Sequence, residues 1–330
     1  MNIGIPRALP YFDYFPMWQT FFNQLGFKTT ISSPTTKDIL NKGVSLCVDD
    51  ACLPVKLFHG HVADLANKVD AIFMPRLISI SPGEFICPKF IGLPEMIKNS
   101  IADLPPLLVF DYNLHKDTRD RKKAFDNLGR QLGASNSAID DAYKEASSRQ
   151  YMFETMLESG QNPLGILHPK EKWDELAQSK GSIGIVGHSY LVYDRYTSMD
   201  IIKKIRDKGY NVKVSANVPH NQIEDNLKTM PKKLFWSYGK RMLGSGMEWL
   251  KGHEVDGIIF LSSFGCGVDS FIEELIRNKF FIVECYLPHT QIHLTTWDII
   301  KSKKQRIYII RIWWMKSYRL RPITRKSIWP

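Results

Sequence analysis

The sequence predicts an α/β fold: two Rossmann-like or flavodoxin-like parallel-sheet domains joined by a helical connector. Short apolar strands alternate with helix-patterned stretches up to about residue 112 and again from residue 181, and such alternation implies parallel sheets covered by helices. The segment between them is polar and helical, with few strand signals. A chain of 330 residues, 44% hydrophobic and 24% charged, is long enough for two full cores. The expected divisions are an N-terminal α/β domain over 1–112, a connector over 113–180, a C-terminal α/β domain over 181–281 and an atypical basic tail over 282–330.

Taken in order, Asn2-Ile3-Gly4-Ile5-Pro6 reads as a buried strand with Arg7 at its C-terminal end. Apolar residues at helical spacing over 15–25 stop at Gly26, a helix terminator. A strand over 28–31 follows, then a short helix from Pro34-Thr35 to about Gly43, then Val44-Ser45-Leu46-Cys47-Val48, whose apolar run predicts a strand. A helix runs from Leu53 to about Asn67, and the next strand, over 69–75, has Arg76 at its exit. A loop to Cys87, a helix over 89–100 and a strand over 107–110 close the first region. In the connector, helical pattern starts at Asp117 and recurs over 138–159, while Trp173 and Leu176 suggest packing on a domain.

The second region predicts strands over 182–188, 211–215 and 255–261, with helices over 197–208 and 238–251. Its glycines at 181, 184 and 187 lack the spacing and the following helix of a dinucleotide fingerprint. No G-x-x-x-x-G-K-[ST] phosphate loop occurs anywhere, so ATP hydrolysis by that device is not expected. A strand near 280–283 begins and then loses its pattern. Beyond it there is neither glycine nor alanine, and two readings stand: a shifted reading frame from about Ile282, or a genuine basic appendage.

The formal charge is +10, but ten basic residues against Glu284 and Asp298 place +8 of it after residue 281. That tail, with Trp313 and Trp314, carries no nucleic-acid motif, so nucleic acid is not expected as a partner. Five cysteines form no paired framework, which argues against a secreted disulfide scaffold. Met1 to Pro6 lacks the basic start and long apolar segment of a signal peptide, and no apolar run reaches the ~20 residues of a membrane span. The expectation is a cytoplasmic protein without a membrane partner.

Three cysteines share one setting. Cys52 stands in Asp50-Ala51-Cys52-Leu53-Pro54-Val55-Lys56, Cys87 directly before Pro88, and Cys266 in Phe264-Gly265-Cys266-Gly267-Val268-Asp269-Ser270. Proline is favoured at the first helical positions, where its missing N–H has no partner to lose, so each cysteine is expected on a loop leaving a strand and starting a helix. Asp269 or Ser270 is a candidate cap for the third helix. Unpaired N–H groups there favour thiolates, and three low-pKa thiolates from three strand ends would suit a soft metal or an iron–sulfur cluster. The competing reading is that each cysteine is a small buried hydrophobe, the role assigned here to Cys47 and Cys285.

Around these, Arg7 and Arg76 are expected beyond strand ends, and Lys56 and Lys89 are candidates to balance a cluster's negative charge or are plain solvated lysines. His59 and His61, two apart on a helix, point to different faces and are not expected to share one ion. Gly265 and Gly267 either cradle an anion with their backbone N–H groups or only permit a tight turn.

Together, Gly4-Ile5-Pro6-Arg7, the Asp50 to Lys56 run with His59-Gly60-His61, Cys87-Pro88-Lys89 and Phe264-Gly265-Cys266-Gly267 resemble the 2-hydroxyacyl-CoA dehydratase superfamily, and more closely its branch related to the CoA-enzyme activase. The resemblance runs from Met1 to about Phe281. It implies an oxygen-sensitive 4Fe-4S cluster held by Cys52, Cys87 and Cys266, with one iron keeping a non-cysteine position. It also implies a separate ATP-dependent activase that delivers the electron, an acyl-CoA substrate and a second dehydratase-like subunit. Related branches bind larger clusters or perform other low-potential reductions. The implied function is the iron–sulfur component of such an ATP-coupled system, a lyase or low-potential reductase of anaerobic metabolism. The alternative is a non-catalytic electron-transfer or scaffold partner, with a structural zinc protein weaker still because no C-x-x-C spacing occurs. Where the family usually continues with a segment resembling Asp-Glu-His-Thr-Gly-Glu, this chain has Leu287-Pro288-His289-Thr290, so an inactive copy is also an expectation.

Overall fold

The computed structural model describes residues 1–168, 176–279, 282–286 and 306–312. Trp173, the stretch 287–290, the tryptophans at 313 and 314 and most of the basic tail lie outside the described residues. The architecture is the expected one, α/β with two sheets whose strands all run parallel.

The first sheet has the order β2-β1-β3-β4, from β1 (Asn2–Ile5), β2 (Lys28–Ile31), β3 (Ala71–Ser79) and β4 (Leu107–Asn113). Around it lie α1 (Tyr11–Gln24), α2 (Lys37–Leu46), α3 (Leu53–Leu65), α4 (Pro88–Ile91) and α5 (Leu93–Ser100). Then come α6 (Asp120–Gln131), α7 (Asn136–Glu158) and the short α8 (Pro163–Leu167). The second sheet has the order β6-β5-β7-β9-β8, from β5 (Ser182–Gly187), β6 (Asn211–Val214), β7 (Gly257–Ser263), β8 (Ile282–Tyr286) and β9 (Arg306–Ile312). Its helices are α9 (Ser189–Val192), α10 (Ile201–Asp207), α11 (His220–Leu227), α12 (Ser237–Gly252) and α13 (Gly267–Lys279). In each sheet the chain starts in the middle and winds both ways, so a switch point falls between β1 and β3 and another between β5 and β7. Crevices for ligands form beyond the C-terminal ends of strands at such points.

One buried cluster runs from Ile3 and Ile5 through the aromatic residues of α1 to Ile183, Ile185 and Leu261, so the two sheets share a continuous apolar contact. Trp18, Phe22, Phe73 and Phe110 fill its centre, with Trp18 and Phe73 rings 4.8 Å apart. Each such ring taken fully out of water contributes about 1.5–3 kcal/mol. A second cluster lies under α12 and α13 on the other side of the second sheet, and Cys87 packs against both.

Several local expectations change. The Cys47 run is not a strand: α2 continues to Leu46, and Cys47 is its extended C-cap, donating its N–H to Gly43 O. The reason is a close helix crossing. A Cβ on Gly43 would stand 1.9 Å from Lys56 O, and one on Gly60 2.1 Å from Ile39 O, so α2 and α3 meet backbone to backbone and residues 44–46 form the last turn of α2. Cys52 therefore starts α3 from a helix-to-helix loop rather than from a strand end. β3 runs three residues past Arg76, which consequently lies within the strand. The helix expected over 89–100 is broken at Gly92 into α4 and α5, with Pro94 in the first turn of the second. α1 starts earlier than its pattern suggests and contains Pro16. A one-turn helix does follow β5, too short to show periodicity in the sequence.

Candidate metal centre

Each of the three cysteines immediately precedes a helix. Cys52 is the N-cap of α3 with Pro54 in the first turn, Cys87 is the N-cap of α4 with Pro88 next, and Cys266 directly precedes α13. They come together: Cys52 feels the charge of Cys87, and Cys266 that of both Cys52 and Cys87. Gly265, at φ +78°, lays the third loop against the first, with its Cβ position 3.6 Å from Cys52 Cα. That left-handed backbone is open to glycine without strain. Cys52 is buried, and Cys87 and Cys266 are partly so.

At Cys52 and Cys266 the helix start does not make the thiol acidic. Burial pushes the Cys52 thiol up, and Lys89 and the Val55 N–H oppose it without winning. Burial and then Asp269 push Cys266 up further, although the Asp269 N–H donates to its sulfur at 3.4 Å. Cys266 itself is thus the acceptor at the start of α13. Asp269 instead turns back, accepting from Ser263 N at 3.0 Å, and Ser270 Oγ donates to Cys266 O. Cys266 N–H is engaged with Ser263 O at 3.2 Å, so this N–H serves the turn.

The sequence reading missed His188. It caps α9 at the end of β5, facing Cys266 at the end of β7 across the switch point. Its Nε2 lies 4.0 Å from Cys266 Sγ and 2.9 Å from Asp269 Oδ1. One donor atom from each of His188, Cys266 and Asp269 falls within 4.8 Å of the others. The ring is 4% exposed, stacks on Tyr190 at 4.8 Å, and its Nδ1 has no hydrogen-bond partner among the described residues. Its signal in the sequence was position alone: a histidine directly after Gly187 at a strand end.

The remaining candidates divide. Lys89 acts on Cys52, whereas Lys56 donates to Asp49 O at 2.8 Å and acts on Cys47. Arg7 N–H donates to Ser32 Oγ at 2.8 Å, and its charge is felt by His61 and Asp194. Arg76 is directed elsewhere, pairing with Asp111 at 3.1 Å and with Glu95. His59 and His61 are both fully buried and have separate partners. His59 Nδ1 donates to Val55 O, while His61 lies between Ser32 Oγ at 2.9 Å and Thr35 Oγ1 at 3.0 Å. Gly267 has open space around its Cβ position. Three soft sulfur donors, a buried imidazole with an unpartnered nitrogen and a carboxylate are a donor set that fits a soft metal or an iron–sulfur group.

No curated protein matches the chain. Among solved structures, a crystal structure of ZnuA is 11% identical with a TM-score of 0.27, covering 94% of this chain and 90% of that one. A periplasmic solute-binding protein of an ABC transporter from Actinobacillus succinogenes 130z, with bound D-allose, is 13% identical with a TM-score of 0.19, covering 86% and 77%. Salmonella D-lactate dehydrogenase is 10% identical with a TM-score of 0.18, covering 94% and 89%. All three likenesses are distant. No helix among the described residues is long and apolar enough to cross a membrane. Residues 2–218, about two thirds of the sequence, match the family described as the CoA enzyme activase uncharacterised domain, and the chain belongs to that family.

Proposed function

We propose that this chain is the iron–sulfur component of a 2-hydroxyacyl-CoA dehydratase-like, ATP-coupled reductase system that receives electrons from a separate activase. The observation that carries the reading is the approach of Cys52, Cys87 and Cys266, each directly before a helix, with His188 beside Cys266. Family membership supports a place in a CoA-enzyme activation system. When bound, a cluster held by three thiolates supplies low-potential one-electron transfer and leaves one metal position for a non-cysteine ligand. The protein's own part is to release the protons of Cys52 and Cys266 on binding, because burial holds these two thiols protonated without it. Lys89 offsets the negative charge so gathered, and the Tyr190 phenol, held well above its usual range by burial, stays a protonated neighbour.

The test is iron and acid-labile sulfide per chain after anaerobic purification and reconstitution, with visible and EPR spectra. Loss of the cluster in Cys52→Ala, Cys87→Ala and Cys266→Ala, with retention in Cys47→Ala, is expected. Iron that survives all three substitutions would sink the reading. A second reading, a mononuclear soft-metal site, is favoured by the grouping of His188, Cys266 and Asp269. It requires zinc without sulfide, kept in Cys52→Ala and lost in His188→Ala.

A further inference from the structure

A cavity of about 250 Å³ lies where three parts of the chain meet, apart from the cysteine loops. Tyr14 comes from α1, Tyr112 from β4, Arg121 from α6, and Tyr238 and Arg241 from α12, while Glu154 of α7 stands at the rim. Its charges sort into spent and unspent. Lys240 is closed by Glu84 and Glu224, both within ion-pair contact. Asp13 faces Arg241 without closing an ion pair, and its Oδ2 accepts from Ser189 Oγ at 2.7 Å and the Tyr238 hydroxyl at 3.0 Å. Glu154 is exposed and accepts from Gln150 Nε2 at 2.9 Å. Glu158, also lining the cavity, is exposed.

Two guanidinium groups are left. Arg121 has the Tyr112 hydroxyl beside it, and both arginines feel Tyr14 and Glu154. No carboxylate closes an ion pair with either among the described residues. Both arginines are partly buried, and two guanidinium groups lining one cavity with no ion pair closed offer planar donors suited to oxyanions.

We propose that this cavity binds a small oxyanion, a short-chain carboxylate or phosphate, gripped between Arg121 and Arg241 with the Tyr14 and Tyr112 hydroxyls as further donors. Such a ligand ties α6 to α12 and stabilises the native state by mass action. It sits one side chain away from the candidate metal centre, since Tyr238, in the cavity wall, has the His188 ring edge-on at 5.5 Å.

The test is thermal unfolding of the full chain with acetate, lactate, succinate or inorganic phosphate at matched ionic strength, with chloride as control. At least one oxyanion should raise Tm in a saturable way, and the one that does separates carboxylate from phosphate. Arg241→Gln and Arg121→Gln, each checked for native circular dichroism, should weaken that ligand by about tenfold or more, the loss expected for a charge-assisted contact. Should Arg241→Gln fail to fold, Arg121→Gln and Tyr112→Phe decide. No shift beyond chloride with any probe, or affinity unchanged in the folded variants, would overturn the proposal.

Discussion

Replacing Gly43 by alanine tests how the first cysteine loop is held. The added Cβ would meet Lys56 O at 1.9 Å, Lys56 C at 2.7 Å and Gly60 N at 3.1 Å, all backbone atoms of α3. None can swing aside as a side chain tip would, so α2 and α3 must part by about 1 Å to restore ordinary contact. Alanine regains about 1 kcal/mol of helix propensity, while forced separation in a packed core costs about 1–3 kcal/mol. Because both sides are rigid backbone, the cost belongs at the top of that range, and a net loss of about 2 kcal/mol is expected. Urea denaturation followed by far-ultraviolet circular dichroism measures it. Gly92→Ala is the control, since nothing lies within 4 Å of its Cβ position. It should stay within about 0.5 kcal/mol of the parent. As Cys52 starts α3, the same displacement shifts one thiol against the Gly265 loop, and iron per reconstituted chain should fall in Gly43→Ala but not in Gly92→Ala. A Gly43→Ala protein as stable as the parent would refute the backbone-to-backbone crossing.

Two further outcomes follow from buried ionisable groups. Burial lowers His61 from 6.5 to about 3, so the folded state stays neutral where the unfolded chain takes up a proton. Its share of stability is complete above pH 6.5 and is lost as pH falls toward 3, by up to about 1.4 kcal/mol per pH unit. His61→Gln should flatten the acid limb of the stability profile, and an unchanged slope would contradict the assignment. Lys240 is 5% exposed and sits against Glu84, also 5% exposed. Lys240→Met should cost about 3 kcal/mol by stranding that carboxylate, and adding Glu84→Gln should recover most of it. Equal losses in the single and double variants, read from urea denaturation, would count against a stranded charge.

Much of the fold was legible because its signals are local. Proline after Cys87 and beside Leu53 marks helix starts whatever the surroundings, since the ring lacks an N–H. Alternating apolar strands and helical stretches imply parallel sheets for a similar reason: parallel strands need a crossover. The run Val44 to Val48 misled because an apolar stretch of five looks alike in a strand and in a helix face. Only residues 44–46 are helical, and the contact that seats α2 on α3 is made by Gly43 against Lys56 and Gly60, outside that window. Arg76 was placed beyond a strand end, but pairing with β4 carries β3 on to Ser79 and turns the guanidinium to Asp111 and Glu95.

The sequence by itself determined the α/β class, the strand and helix alternation, and the position of three thiols at helix starts, all properties of a few neighbouring residues. Tertiary structure alone decided that His188, 78 positions from Cys266, stands beside it. It also decided the sign of the thiol shifts, because desolvation depends on everything packed around the sulfur and here outweighs the helix start. The same holds for the arginine cavity: Arg121 and Arg241 are unremarkable apart from each other, and only packing α1, α6 and α12 together sets two cations around one space.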